Sequence, residues 1–150
     1  MNIEKLISEM TLEEKIGQMS QTFMEPGVSP DKICKMIENG EVGSVILAAT
    51  SVAGNTGDGF ETRVADFFKA AAKKSRLKIP VILGRDVIHG HKIIFPIPLA
   101  QAASWNMELI ENSSELAAKE ARMDGVEWTF APMLDLSRDP RWGRIIEGYG

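Results

Sequence analysis

Two short stretches hold most of the side chains suited to chemistry. The first runs Gly84, Arg85, Asp86, Val87, Ile88, His89, Gly90, His91. A carboxylate such as Asp86 offers several lone pairs in one plane and can accept two hydrogen bonds from adjacent sugar hydroxyls. His89 is open to three roles: base, metal ligand or structural donor. A histidine followed by glycine in a tight turn, without an i, i+4 partner on a helix face, favours the structural role. His89 and His91 point opposite ways in an extended chain, so a two-histidine zinc site is not expected and no metal is assigned.

The second stretch, Ala131 to Glu147, gathers Arg138, Arg141 and Arg144 with Asp135, Asp139, Glu147 and Trp142. An isolated buried charge is costly, so these groups imply a network. Bidentate arginine–carboxylate pairs would fold the loop, a role expected of Asp139, Arg138 and Arg141, with one arginine kept for a ligand. Cleaving a glycosidic bond with retention takes two carboxyl groups ~5 Å apart, one as nucleophile and one as general acid and base. Asp86, Asp135, Asp139 and Glu147 combine into such a pair on paper, but their spacing singles none out.

The elements that must position these residues follow from local signals. Thr11, Leu12, Glu13 and Glu14 form a capping box that predicts a helix from Leu12 to about Met19. Pro30 and Asp31 open a second helix toward Glu38, closed by Asn39 and Gly40. Val42 to Leu47 reads as a strand covered on both faces, and Val81 to Leu83, after Pro80, as another. Between them lie a loop of small residues from Ala49 to Gly59 and helical spacing from Glu61 to Ser75. The loop lacks the lysine and hydroxyl of a phosphate-binding P-loop and reads as a connection. Asn106 caps a long helix with a buried stripe of Leu109, Ile110, Leu116, Ala117 and Ala121, stopped by Gly125. Trp128 to Leu136 reads as a third strand. Alternating strands and helices make an α/β fold with a parallel sheet and ligands at the strand ends. A closed (β/α)8 barrel and an open doubly wound sheet both fit.

Composition narrows the partners. The 150 residues are 44% hydrophobic and 25% charged, as in an ordinary globular domain, with a formal net charge of −4. Acids and bases are interspersed, leaving no electrostatic footprint for nucleic acid or anionic membrane. Met1 to Met10 lacks the apolar core of a signal peptide, so a cytoplasmic location is expected, or a periplasmic one if a leader has been removed. The single cysteine, Cys34, is expected to be a buried free thiol.

Four blocks resemble the glycoside hydrolases of family 3, in particular the multi-domain bacterial β-glucosidases. Met10 to Met19 is similar to the family's opening helix, and Ile79 to Gly90 to its strand and Gly-x-Asp-x-x-His-Gly motif. Phe95 to Asn106 and Thr129 to Gly150, with its Arg-Asp-Pro-Arg-Trp-Gly-Arg run, complete the likeness in the family's order and spacing. The β-N-acetylglucosaminidase branch carries Glu-Gly-Gly where this chain has Ile88, His89 and Gly90, which favours the β-glucosidase or β-xylosidase branch.

The resemblance implies the first part of a (β/α)8 TIM-type barrel, or its collapsed variant, with 1–150 as a barrel segment incomplete at its C-terminal end. It implies a retaining exo-β-glycosidase that removes terminal non-reducing β-D-glucosyl residues from β-linked glucosides or oligosaccharides without a cofactor. Asp86 and Arg144 correspond to substrate-binding residues. His89, Arg138, Asp139 and Glu147 are expected to support the site. The family's nucleophilic aspartate and acid/base glutamate have no counterpart here, so the rest of the barrel and a second α/β domain are the expected partners, and the segment alone is expected to be inactive. The alternative is a non-catalytic sugar-binding or assembly module completed by another chain.

Overall fold

The computed structural model describes residues 2–24, 29–47 and 60–150, so the expected loop from Ala49 to Gly59 lies outside the described residues. The chain divides into two units, Met1–Arg85 with Asp124–Trp128, and Asp86–Met123 with Thr129–Gly150.

The first unit opens with α1 (Ile3–Glu9), whose first turn is capped by the Asn2 side chain. In α2 (Leu12–Met19) the capping box forms as the sequence requires: the Glu14 amide donates to Thr11 Oγ1 and the Thr11 amide to the Glu14 carboxylate. Gly17 sits where a Cβ would stand 1.9 Å from the Gly40 carbonyl oxygen, so the helix rests on the turn at Gly40. After β1 (Gln21–Met24), α3 (Pro30–Glu38) begins at the Ser29 cap with Pro30 in its first turn. It ends at Asn39, followed by Gly40 with φ +73°. Then come β2 (Ser44–Leu47), α4 (Phe60–Lys74) and β3 (Ile82–Arg85).

The strands pair in parallel, Thr22 opposite Val45 and Val45 opposite Leu83. With β4 (Trp128–Thr129) the sheet order is β1-β2-β3-β4. In an open doubly wound sheet the strand order reverses at a switch point, whereas a (β/α)8 barrel advances one strand at a time. The observed order is therefore that of the opening of a barrel.

Alternate residues of a strand face opposite sides. Val45, Leu47 and Leu83 are buried, as are Ile33 and Ile37 of α3 and Val64, Phe68, Ala71 and Ala72 of α4, and these form the core of the unit. Cys34 is a free, half-buried thiol beside the Phe67 carbonyl, less enclosed than expected. On the other side, Phe23 is 51% and Ile82 46% exposed. The expectation that the strand at Val81 to Leu83 is covered on both faces thus fails at Ile82, because Ile82 lies on the face opposite the buried Leu83.

In the second unit, α5 (Pro98–Ala103) and α6 (Met107–Met123) precede two 3₁₀ turns, Pro140–Trp142 and Ile145–Glu147. Asn106 caps α6 by accepting the Leu109 amide at 3.0 Å, and Gly125 with φ +85° follows its end. Ala117 and Ala121 are buried, whereas Leu109 and Leu116 are exposed, contrary to expectation. A helix turns about 100° per residue, which rotates 109 and 116 off the side held by 110 and 117. The strand expected from Trp128 to Leu136 is only Trp128–Thr129, and Pro132 has no N–H with which to extend a ladder. Among the described residues no helix is long and apolar enough to cross a membrane.

Candidate sugar-binding site

The candidate residues all belong to the second unit, which begins where β3 ends. Asp86 is exposed, and its carboxylate accepts no hydrogen bond among the described residues, while Val87 next to it is buried. The chain then folds into a short hairpin. The Phe95 amide donates to the His89 carbonyl at 2.7 Å, and Gly90 bridges antiparallel to Ile94. Gly90 has φ +134°, and a Cβ there would stand 2.0 Å from the Ile93 carbonyl oxygen, so only glycine fits this turn. His89 Nδ1 lies 2.7 Å from the Phe95 carbonyl oxygen. A carbonyl only accepts, so Nδ1 carries a proton and the ring staples the hairpin.

Arg144 enters the second 3₁₀ turn and is gripped by Glu147 from the end of the same turn. Nε donates to Glu147 Oε1 at 2.7 Å and Nη2 to Oε2 at 2.5 Å, a bidentate pair. The Arg144 hydrogen bond holds the Glu147 carboxyl below the usual carboxylate range. The Arg144 guanidinium is raised, first by Glu147 and further by the charges of Asp86 and Asp135. The charge of Asp86 is therefore felt at Arg144, the residue with which the sequence leads it to be expected in substrate binding.

The other expected supports separate. Asp139 caps the first 3₁₀ turn, accepting the Arg141 amide at 2.9 Å and the Arg141 guanidinium side-on, which depresses its pKa. The Arg138 guanidinium is exposed and has no hydrogen-bond partner among the described residues. Two acids lay outside the expected site. Asp135 contributes to the field at Arg144, and Glu120 of α6 accepts the Lys92 and Ile93 amides of the hairpin. No local signal marks Glu120, since its contacts are 27 and 28 residues away in sequence.

This arrangement suits orientation better than proton transfer. Asp139 and Glu147 are each held ionised by an arginine, and a carboxyl with a depressed pKa is a poor general acid near neutrality. Asp86 keeps acceptor capacity and Arg144 keeps unused N–H donors, the two halves needed to grip neighbouring hydroxyls.

The family described as "Glycosyl hydrolase family 3 N terminal domain" matches residues 11–150. A periplasmic β-glucosidase of Salmonella typhimurium is 36% identical over 148 residues, 99% of this chain and 18% of that protein. A putative β-xylosidase of Formosa agariphila is 27% identical over 157 residues, covering 99% of this chain and 21% of its own length. A mutant β-glucosidase from Listeria innocua, crystallised in complex with laminaribiose, aligns with a TM-score of 0.76 at 35% identity, over 100% of this chain and 21% of that one. The chain spans about a fifth of the length of these relatives.

Proposed function

Because the chain belongs to the glycosyl hydrolase family 3 N-terminal domain family, we propose that it is part of a retaining exo-β-glycosidase acting on terminal non-reducing β-D-glucosyl residues. The observation that carries this reading is that Glu147 pins the Arg144 guanidinium, which also feels the charge of Asp86, while the Asp86 carboxylate accepts no hydrogen bond among the described residues. A glucosyl ring presents vicinal hydroxyls that act as both donors and acceptors. Asp86 takes the donors and Arg144 the acceptors, and these bonds tighten as the ring flattens toward an oxocarbenium-like transition state. The nucleophile and the general acid/base come from outside these 150 residues, in keeping with the engagement of Asp139 and Glu147 by arginines.

Glucose is favoured over xylose by the β-glucosidases of Salmonella and Listeria among the relatives, which are more alike to this chain than the xylosidase is. Hydrolysis of p-nitrophenyl β-D-glucoside and β-D-xyloside by the complete gene product tests the assignment. Asp86→Ala should lower turnover of the preferred substrate by about 10²-fold or more, the cost of a lost orienting contact. Unchanged turnover in that variant sinks the role of Asp86, and turnover of neither glycoside sinks the activity.

The exposed apolar side chains of Phe23 and Ile82 favour a second reading, a non-catalytic module completed by another chain. In that case the complete gene product would bind glucoside without hydrolysing it and would migrate as an assembly on size exclusion.

A further inference from the structure

We infer that Glu120 is a positioning residue for the Asp86 and Arg144 clamp, acting through the hairpin that links their supports; this rests on the proposed glycosidase reading. Glu120 lies near the end of α6 and uses a single oxygen, Oε2, to accept the Lys92 amide at 2.8 Å and the Ile93 amide at 3.0 Å. Those adjacent amides form the tip of the hairpin whose other end is closed by His89 and Phe95. A charged acceptor makes stronger bonds to backbone N–H groups than a neutral one does. Hydrogen bonding to Ile93 is the first cause of the lowered Glu120 pKa, so the tether favours the charged form of the carboxyl.

Along the chain the hairpin follows Asp86 and precedes the elements that lead to Arg144. On its N-terminal side, Asp86 is three residues from His89, with buried Val87 fixing the stretch between. On its C-terminal side the chain passes directly into α5, whose Gln101 Nε2 donates to the Pro96 carbonyl at 2.7 Å. That helix packs against the 3₁₀ turn Ile145–Glu147, and Glu147 holds Arg144. A shift of the hairpin tip is therefore transmitted to Asp86 in one direction and to Arg144 in the other. Glu120 touches neither clamp residue, so its effect on turnover passes through the hairpin.

The test uses the complete gene product with p-nitrophenyl β-D-glucoside, comparing Glu120→Ala, Glu120→Gln, Asp86→Ala and the double variant Glu120→Ala with Asp86→Ala. Glu120→Ala should lower kcat/KM about 10-fold to 100-fold, the range for a clamp displaced by ~1 Å. Glu120→Gln keeps an acceptor oxygen and should recover most of the loss. In the Asp86→Ala background the further loss from Glu120→Ala should shrink several-fold, because one end of the clamp is already gone. Amide hydrogen exchange at Lys92 and Ile93 should speed up in Glu120→Ala and stay slow in Glu120→Gln. Equal losses from Glu120→Ala with and without Asp86 would show a general structural effect and overturn the inference, as would wild-type turnover with unchanged exchange. If Glu120→Ala does not fold, Glu120→Gln decides: the tether is refuted if this variant folds with fast exchange at both amides yet retains wild-type kcat/KM. A wild-type protein that hydrolyses no β-glycoside overturns the glycosidase reading itself, and the inference falls with it.

Discussion

Arg144 gives Nε and Nη2 to the two carboxylate oxygens of Glu147, three residues ahead, and so turns a flexible cation into a fixed one. A bidentate pair leaves the guanidinium plane no free rotation, and its far nitrogen remains available to a ligand. The pair forms within a single 3₁₀ turn, so its geometry is set by the local backbone.

Removing that grip should be felt in substrate binding before stability. In the complete gene product, Glu147→Ala is expected to lower kcat/KM for p-nitrophenyl β-D-glucoside about 10-fold or more, since Arg144 then samples many rotamers. Glu147→Gln, with one acceptor retained, should lose less. Steady-state kinetics beside a thermal melt separate this from unfolding, and a lower melting temperature with unchanged kinetics would show that the pin serves the turn alone.

The 150-residue chain by itself should release no p-nitrophenolate from the β-glucoside at any pH. Of its acids in the clamp region, Asp139 and Glu147 are committed to arginines, while Asp86 and Asp135 are exposed and act on Arg144 through their charge. A measurable turnover number for the purified chain would place a catalytic carboxyl inside it and refute the division of labour proposed above.

Acid should loosen the junction of α1, α2 and the segment after α4. Glu14 caps α2 and also receives the Arg76 guanidinium, whose Nη2 reaches the Glu9 carbonyl as well. Its pKa falls from 4.5 to about 2, first through the hydrogen bond from Arg76 and then through the one from the Thr11 amide. A carboxyl depressed in the folded state contributes stability that is fully present above its unfolded value. That contribution fades as pH drops from about 4.5 toward about 2. Denaturant unfolding of the wild type and Glu14→Gln should therefore differ at neutral pH and converge near the bottom of that window. A constant difference across it would contradict the linkage.

Two glycines should respond differently to alanine. Gly17→Ala drives a Cβ to 1.9 Å from the Gly40 carbonyl oxygen, where backbone must move, and should cost about 1–3 kcal/mol or more, as overpacking does. Gly143 has φ +87°, but a methyl group there would meet nothing within 4 Å, so Gly143→Ala should cost only the left-handed backbone term, about 1–2 kcal/mol. Chemical denaturation reads both, and equal midpoints would undo the distinction.

Local chemistry determined a good part of this protein in advance. The capping box at Thr11 and Glu14, the Pro30 start, the Asn106 cap and the Gly40 and Gly125 stops each satisfy backbone groups within a few residues, so the sequence carries them openly. The family blocks likewise mark Asp86 and Arg144 as the proposed substrate-binding residues. What depended on distant partners was hidden. β1 emerges through the pairing of Gln21 to Met24 with Ser44 to Leu47, because four residues are too few to carry a clear periodic signal. The exposure of Ile82, the Glu14–Arg76 bond and the Glu120 tether arise the same way. Caps and turns are written over three or four residues, whereas burial and long-range charge pairing exist only once the chain has brought remote segments together.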